Sequence, residues 1–193
     1  MGFIKKLNFL SAAITFSFCS FAFCENPGTF DLKTKAAESI NQTYSDIQVL
    51  PERHPTTNFS VRFDFKVVKQ NRLKKPQAWE TFWLFWSYIK ETGDSKKTNY
   101  LAFKTNGLEL GKSFAITDQV FVWTSEAVKF EIGKWYHVEL KLIKKQMSLK
   151  VNDIEIAVAA DVLEKTFQTP GQIAFYTEDA DVSLKNYSYE ILK

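Results

Sequence analysis

A run of strict two-residue alternation constrains the fold of this chain more than any other feature. In NFSVRFDFKV, residues 58–67, apolar side chains occupy every second position from Phe59 to Val67, and polar or charged side chains fill the positions between them. Successive side chains of a strand point to opposite faces, so this pattern predicts a β-strand with one buried and one solvated face. Such a strand needs a sheet around it and a second layer over its apolar face.

A hairpin is predicted in YLAFKTNGLELGK, residues 100–112. Asn106-Gly107 stands between two alternating runs there, and this dipeptide is typical of a two-residue hairpin turn. If these two residues form the turn, Lys104 faces Glu109 across the strands. Tyr100 then lies on the same face as that pair, opposite the apolar face.

Several later segments also predict strands. GKWYHVELKLI alternates over residues 133–143, MSLKVNDIEIAV predicts a second hairpin that turns at Asn152-Asp153, and PGQIAFYT and DVSLKNYSYEIL supply the last two strands. DVLEKTF, residues 161–167, is a short helical turn or a loop. About nine to eleven strands with short connections and no long helix predict an all-β, antiparallel β-sandwich.

The first 24 residues are predicted to be a secretory signal peptide. Lys5 and Lys6 precede the apolar run LNFLSAAITFSFCSFAFC, which contains no acidic residue. Cleavage after Cys24 would place the protein outside the cell or in the periplasm, without stable membrane insertion. An uncleaved anchor is the alternative, because the run is about long enough to span a bilayer.

Removal of this segment limits the chemistry of the remaining chain. Both cysteines, Cys19 and Cys24, would leave with it, which excludes a disulfide framework or a thiolate site. Taking Lys5 and Lys6 from the 25 basic residues leaves 23 against 22 acidic ones, so no nucleic-acid partner is expected. The rest divides into a lead-in with one potential edge strand, residues 25–57, and one sandwich domain, residues 58–193.

The order of these segments resembles the concanavalin A-like lectin and glucanase jelly roll. It resembles more closely the family of 3-keto-disaccharide hydrolase domains, in the WE with its following Trp, NGLELGK, GKW and EDADVSLKN, over residues 58–192. The resemblance implies a jelly roll with carbohydrate as the ligand class. It leaves the chemistry open, because one fold hosts many functions. The E-x-D-x-x-E strand of laminarinase-like glucanases and the Gln-x-His strand of alginate lyases are both missing from the sequence.

The aromatic stretch AWETFWLFWSYIKETGD, residues 78–94, is apolar on both strand faces. One face is expected to meet the opposite sheet, and the other to line a concave groove where rings stack on sugars. Glu80, Trp86 and Tyr88 share one parity and are assigned to the groove together with the hairpin face. The predicted substrate-binding residues are Trp86, Tyr88, Tyr100, Lys104 and Trp83.

Two carboxylates are candidates for catalysis. Glycoside hydrolysis needs one carboxyl group as acid and another as base or nucleophile, and Glu80 and Glu109 are of the right type. A plain surface ion pair between Glu109 and Lys104 is the alternative interpretation.

No organic cofactor is expected, and no metal ligand is assigned. Glu178, Asp179 and Asp181 form an acidic bend that could hold a structural calcium ion, although such residues also favour turns. The two histidines, His54 and His137, are expected to be solvated.

Three function hypotheses follow from these observations. The first is a carbohydrate-binding module with an aromatic groove. The second is a hydrolase or lyase acting on glycosides, including those oxidised at C3, with Glu80 or Glu109 as acid or base. The third is a structural or adhesion module that binds another protein.

Overall fold

The computed structural model describes residues 24–26, 28–36, 43–51, 56–72, 74–89, 97–114 and 118–192. The predicted signal peptide lies outside these residues except for Cys24, and so does His54. Within the described residues, no helix is long and apolar enough to cross a membrane.

Strands dominate the described residues. In chain order the elements are β1 (Cys24–Asn26), β2 (Phe30–Leu32), β3 (Ser45–Val49), β4 (Phe59–Gln70), β5 (Phe82–Ile89), β6 (Lys97–Lys104), β7 (Gly107–Phe114), β8 (Asp118–Ser125), β9 (Tyr136–Ile143), β10 (Gln146–Val151), β11 (Ile154–Ala157), α1 (Ala160–Glu164), β12 (Gln172–Glu178) and β13 (Ala180–Ile191).

The strands form two sheets in which neighbouring strands run antiparallel. One sheet has seven strands in the order β1-β13-β4-β9-β10-β11, with β2 also paired to β13. The other has six strands in the order β3-β12-β5-β6-β7-β8. The two sheets pack face to face, which confirms the predicted all-β antiparallel sandwich.

Aromatic side chains fill the space between the sheets. The alternate residues of β4 from Phe59 to Val67 are buried as predicted, each at most 2% exposed. Phe65 of the seven-stranded sheet stacks on Phe82 of the six-stranded sheet, with ring centroids 4.8 Å apart. Phe63 meets the ring of Phe175 edge to face at 5.2 Å. Pairs of this kind add to the stability that burial of the rings already provides.

The β6–β7 hairpin forms, but its turn differs from the prediction. Lys104 pairs with Gly107, so Thr105 and Asn106 make the turn. Gly107 has φ of +145°, and a Cβ there would lie 2.3 Å from the carbonyl oxygen of Ser125. Because Lys104 pairs with Gly107 instead of Glu109, the register of the hairpin differs by two residues from the predicted one. Because a two-residue shift preserves side-chain alternation, the predicted faces are still correct.

The lead-in contributes three strands rather than one. β1 and β2 pair with different parts of β13. β3 pairs with β12 and forms an edge of the six-stranded sheet. Both sheets therefore include strands that precede residue 58.

Candidate functional site

The outer face of the six-stranded sheet, turned away from the seven-stranded sheet, carries a second aromatic cluster. Trp83, Phe85 and Tyr100 are buried there, and the half-buried Tyr88 and Tyr176 pack against them. Phe85 stacks on Tyr176 with ring centroids 4.6 Å apart, and Trp83 lies 4.8 Å from Tyr100. We call this surface the outer aromatic face.

Two adjoining cavities lie on the outer aromatic face, and together we call them the outer groove. They share Trp83, Gln119 and Glu178. The first has a volume of about 320 Å³ and is also lined by Ser45, Ile47, Phe85, Tyr88, Lys97, Thr98, Tyr100, Ser113 and Tyr176. The second has a volume of about 300 Å³ and is also lined by Trp79, Lys104, Glu109 and Phe121. Each volume lies at the small end of the range for ligand sites.

A bulge at Ser87 decides which rings face the outer groove. Ser87 has φ of +53°, and the pairing of β5 with β6 shifts between Trp86 and Ile89. Before the bulge, Trp86 points inward and is 1% exposed in the main core. After it, Tyr88 points outward onto Phe85. The placement of Trp86 in the groove was wrong, because Trp86 shares the inward parity of Phe82 and Leu84. The extra residue of the bulge then breaks the two-residue period and turns Tyr88 outward.

Lys104, Glu109 and Tyr100 meet on the outer aromatic face as the sequence predicts. Lys104 Nζ lies 2.5 Å from Glu109 Oε2, and the Tyr100 hydroxyl donates to Glu109 Oε1 at 3.3 Å. Burial raises the pKa of Tyr100, and the charge of Glu109 raises it further. Tyr100 therefore stays a protonated hydrogen-bond donor. The roles of these residues in binding or catalysis remain predictions.

Glu178 is a second carboxyl group in the outer groove, although its sequence pattern suggested only a calcium ligand. The Tyr176 hydroxyl donates to Glu178 Oε2 at 3.1 Å. Burial raises the pKa of Glu178, with a further contribution from the nearby charge of Asp179, while the bond from Tyr176 lowers it. Glu178 and Glu109 line the same cavity.

Two exposed rings that were not among the predicted site residues border the second cavity. Trp79 is 40% exposed and Phe121 is 64% exposed, whereas Trp83, which lines the same cavity, is only 3% exposed. The Trp83 indole donates to the Trp79 carbonyl oxygen at 2.8 Å, which ties the buried ring to the backbone of the exposed one. Exposed apolar rings of this size beside polar groups are typical of interaction sites.

Glu80 does not reach the outer groove. It is 0% exposed, its Oε1 accepts from Arg72 Nε, and its Oε2 accepts from the Gln77 backbone N–H at 3.0 Å. Arg72 also donates to Asp179 at 2.9 Å. Burial lowers the pKa of Arg72, but the bond and charge of Glu80 outweigh it, so the net pKa is raised. The expectation that Glu80 shares a groove with Glu109 is therefore corrected: Glu80 belongs to a buried ion network.

The acidic bend is held by donors from this chain. Asp179 accepts from the Tyr44 backbone N–H at 2.7 Å in addition to Arg72. Asp181 accepts from Asn71 at 2.7 Å and pairs with Lys69 at 3.3 Å. Among the described residues, no group of three or more His, Cys, Asp or Glu could hold a metal ion. The calcium ion remains an expectation from the sequence alone.

Comparison with known proteins identifies the fold. The chain is similar to a carbohydrate binding module from Bacillus subtilis, with a TM-score of 0.56 and 13% identity over 84% of this chain and 95% of that one. It is also similar to a heptameric SAP-like pentraxin from Limulus polyphemus, with a TM-score of 0.50 and 12% identity over 86% of this chain and 78% of that one. Both likenesses support the antiparallel β-sandwich fold that the two sheets form. Neither a family model nor a curated protein matches the chain.

Proposed function

We propose that this protein is an exported carbohydrate-binding module whose glycan lies in the outer groove. The observation that carries the proposal is the pair of exposed rings, Trp79 and Phe121, beside the polar side chains of Lys104, Glu109 and Gln119. The C–H faces of a sugar ring are apolar, while its hydroxyl groups need hydrogen-bond partners. Rings that offer a flat apolar face next to such donors and acceptors match both requirements.

The buried residues of the outer aromatic face support the same proposal. Trp83 lines the same cavity as the exposed rings, and its indole donates a hydrogen bond to the Trp79 backbone. Lys104 and Tyr100 hold the Glu109 carboxylate from two sides. These contacts fix the groups before a ligand arrives, which reduces the entropy cost of binding. The likeness to a carbohydrate binding module at a TM-score of 0.56 supports the ligand class, and the Lys5-Lys6 segment supports export.

Binding to soluble and insoluble polysaccharides and to a glycan array tests this proposal. We expect wild-type protein to bind at least one glycan, and Trp79→Ala and Phe121→Ala each to weaken that binding about tenfold or more. Both rings are exposed, so both variants should fold normally. Trp135→Ala is the matched control, because Trp135 lies outside the outer groove between Lys66 and Lys185. The proposal fails if no glycan binds, or if the control loses as much affinity as the two groove variants.

Glycoside hydrolysis is the second candidate function. It is favoured by the two carboxyl groups that line one cavity, Glu109 and Glu178. The raised pKa of Glu178 suits an acid that protonates the glycosidic oxygen, and Glu109 would act as base or nucleophile. Glu178 takes the place of Glu80, whose two carboxylate oxygens are engaged in the buried network.

Turnover assays on aryl glycosides, oligosaccharides and a 3-keto-glycoside separate the two functions. If the protein is a hydrolase, Glu109→Gln and Glu178→Gln should each lower kcat at least a hundredfold, and Glu139→Gln, an exposed site on β9, should leave it unchanged. Glycan binding without turnover of any of these substrates would support the binding module alone. Turnover that survives both groove substitutions would remove the catalytic assignment.

A further inference from the structure

A third cavity lies apart from the outer groove and shares none of its lining residues. It has a volume of about 310 Å³ and is formed where the β9–β10 turn approaches the bulge of β5 and the segment after α1. We call it the Ser87 cavity. The residues that matter for its chemistry are Asn58, Ser87, Lys144, Lys145 and Phe167.

The hydroxyl of Ser87 is the first unusual feature of this cavity. Ser87 is 1% exposed, and its Oγ has no hydrogen-bond partner among the described residues. Buried hydroxyl groups are nearly always paired, so an unpaired one calls for an explanation. A hydrogen-bond partner for this hydroxyl can lie in the cavity that Ser87 lines.

The backbone at Ser87 is also held in a costly conformation. Its φ of +53° lies in the left-handed region, which residues with a Cβ rarely adopt. Gly171 packs directly on it, and a Cβ at Gly171 would lie 2.3 Å from the carbonyl carbon of Ser87. Gly171 is fixed in turn by pairing with Thr56. Strain that the surroundings enforce in this way is concentrated at functional sites.

Two lysines line the same cavity, and they form a turn of a type that is rarely built from lysine. Lys144 and Lys145 are the two residues between Ile143 and Gln146 of the β9–β10 hairpin, with φ of +46° and +65°. A two-residue turn with positive φ at both positions is normally built from Asn and Gly. Both lysines are exposed, and among the described residues neither has a carboxylate partner. Two adjacent unpaired ammonium groups attract an anion.

The remaining lining residues define the rest of the ligand. Asn58 accepts from the Lys144 backbone N–H through its Oδ1, so its amide nitrogen is available as a donor. The half-buried Phe167 contributes apolar surface. A ligand that satisfies all of these groups is small, carries one negative charge and presents both hydroxyl groups and an apolar C–H face.

We infer that the Ser87 cavity binds a carboxylated monosaccharide, a uronate, with its carboxylate at Lys144 and Lys145 and a ring hydroxyl at Ser87 Oγ. The sugar ring lies between the hydroxyl and the lysines, with its apolar face toward Phe167. This site is independent of the outer groove. Uronate binding in the Ser87 cavity can therefore be observed even if no glycan binds in the outer groove.

Isothermal titration calorimetry with sodium D-glucuronate and sodium D-galacturonate tests the inference, with D-glucose and inorganic phosphate as comparison ligands. We expect at least one uronate to bind, and at least tenfold more tightly than glucose or phosphate. Binding of phosphate alone, equal binding of glucose, or no binding of either uronate would overturn the inference.

Substitutions assign the contacts. The double variant Lys144→Asn/Lys145→Gly puts preferred residues into the turn, so it should fold at least as well as wild type and bind the uronate at least tenfold more weakly. Lys74→Ala/Lys75→Ala removes two exposed charges outside the cavity and should leave affinity within twofold. Unchanged uronate affinity in the turn variant would contradict the carboxylate placement.

Ser87 requires two variants, because its backbone is strained. Ser87→Gly removes the hydroxyl and relieves the positive φ, so it should be as stable as wild type or more stable, with uronate affinity about three- to tenfold lower. Ser87→Ala removes the hydroxyl alone and should show the same loss of affinity if it folds. Undiminished affinity in Ser87→Gly would rule out the proposed hydroxyl contact.

Discussion

The two outer faces of the sandwich differ in what their strands expose. On the seven-stranded sheet, outward residues of β9 such as His137, Glu139 and Lys141 are half-buried or exposed and charged or polar. On the six-stranded sheet, β5 is buried on both faces from Phe82 to Ser87. A sheet with one solvated face normally alternates apolar and polar residues, as β9 does.

This difference supports the proposal that the six-stranded sheet carries the site. The outward rings of the six-stranded sheet bury one another instead of contacting water, and they surround charged groups that are only partly exposed. The asymmetry therefore points to recognition on one face and solvation on the other.

The largest expected effect comes from removal of a ring from each outer face. Trp83→Ala should lower the free energy of unfolding by about 3–5 kcal/mol, because Trp83 is 3% exposed and its loss leaves a cavity beside Phe85 and Tyr100. Trp135→Ala on the other sheet removes a half-buried ring held by Lys66 and Lys185, and should cost about 1 kcal/mol or less. Urea unfolding of both variants measures the contrast. Equal losses would mean that the outer aromatic face is not packed like a core.

A smaller effect is expected from the ion pairs of the two sheets. Lys104→Ala leaves the 7% exposed Glu109 without its cation and should cost about 1–3 kcal/mol. Lys69→Ala breaks the pair with Asp181 in the seven-stranded sheet, where the Lys69 side chain is 61% exposed, and should cost below about 0.5 kcal/mol. Chemical denaturation at low and high salt distinguishes them. A Lys69 variant as unstable as the Lys104 variant would contradict the difference in burial.

The sequence predicts the fold well because strands of the seven-stranded sheet alternate between buried apolar residues and solvated polar residues. Phe63 and Phe65 stand out against Arg62 and Asp64, so the buried face of β4 is unambiguous. The predicted β6–β7 faces hold for a related reason, since a register error of two residues leaves each side chain on its own face.

The site was harder to predict, because it depends on features without a local pattern. Because both faces of β5 are apolar, the alternation of its residues does not indicate which face meets the core. The positive φ of Ser87 then reversed the parity between Trp86 and Tyr88. Glu80 was misplaced because the local sequence pattern gives no sign of its pairing with Arg72. The exposure of Trp79 and Phe121 depends on tertiary packing, which no short stretch of sequence encodes.

The smallest expected effect concerns the pH dependence of stability on the outer aromatic face. Burial raises the pKa of Glu178 above its ordinary value near 4.5, so the folded protein holds this proton more tightly than the unfolded chain. Well below pH 4.5 the carboxyl group is protonated in both states, and it contributes its full stability. As the pH rises through the folded-state pKa, the buried group must ionise and that contribution is lost. Glu178→Gln should therefore gain stability relative to wild type between pH 4 and pH 7.

Thermal unfolding of wild type and Glu178→Gln across this range measures the effect. Glu164→Gln removes one charge from an exposed position on α1 and corrects for the change in net charge. The glutamine can still accept a hydrogen bond from the Tyr176 hydroxyl, so the variant isolates the cost of burying the charge. A stability difference that stays constant with pH would show that Glu178 is as well solvated as a carboxylate on the seven-stranded face. The contrast between the two faces would then rest on the aromatic rings alone.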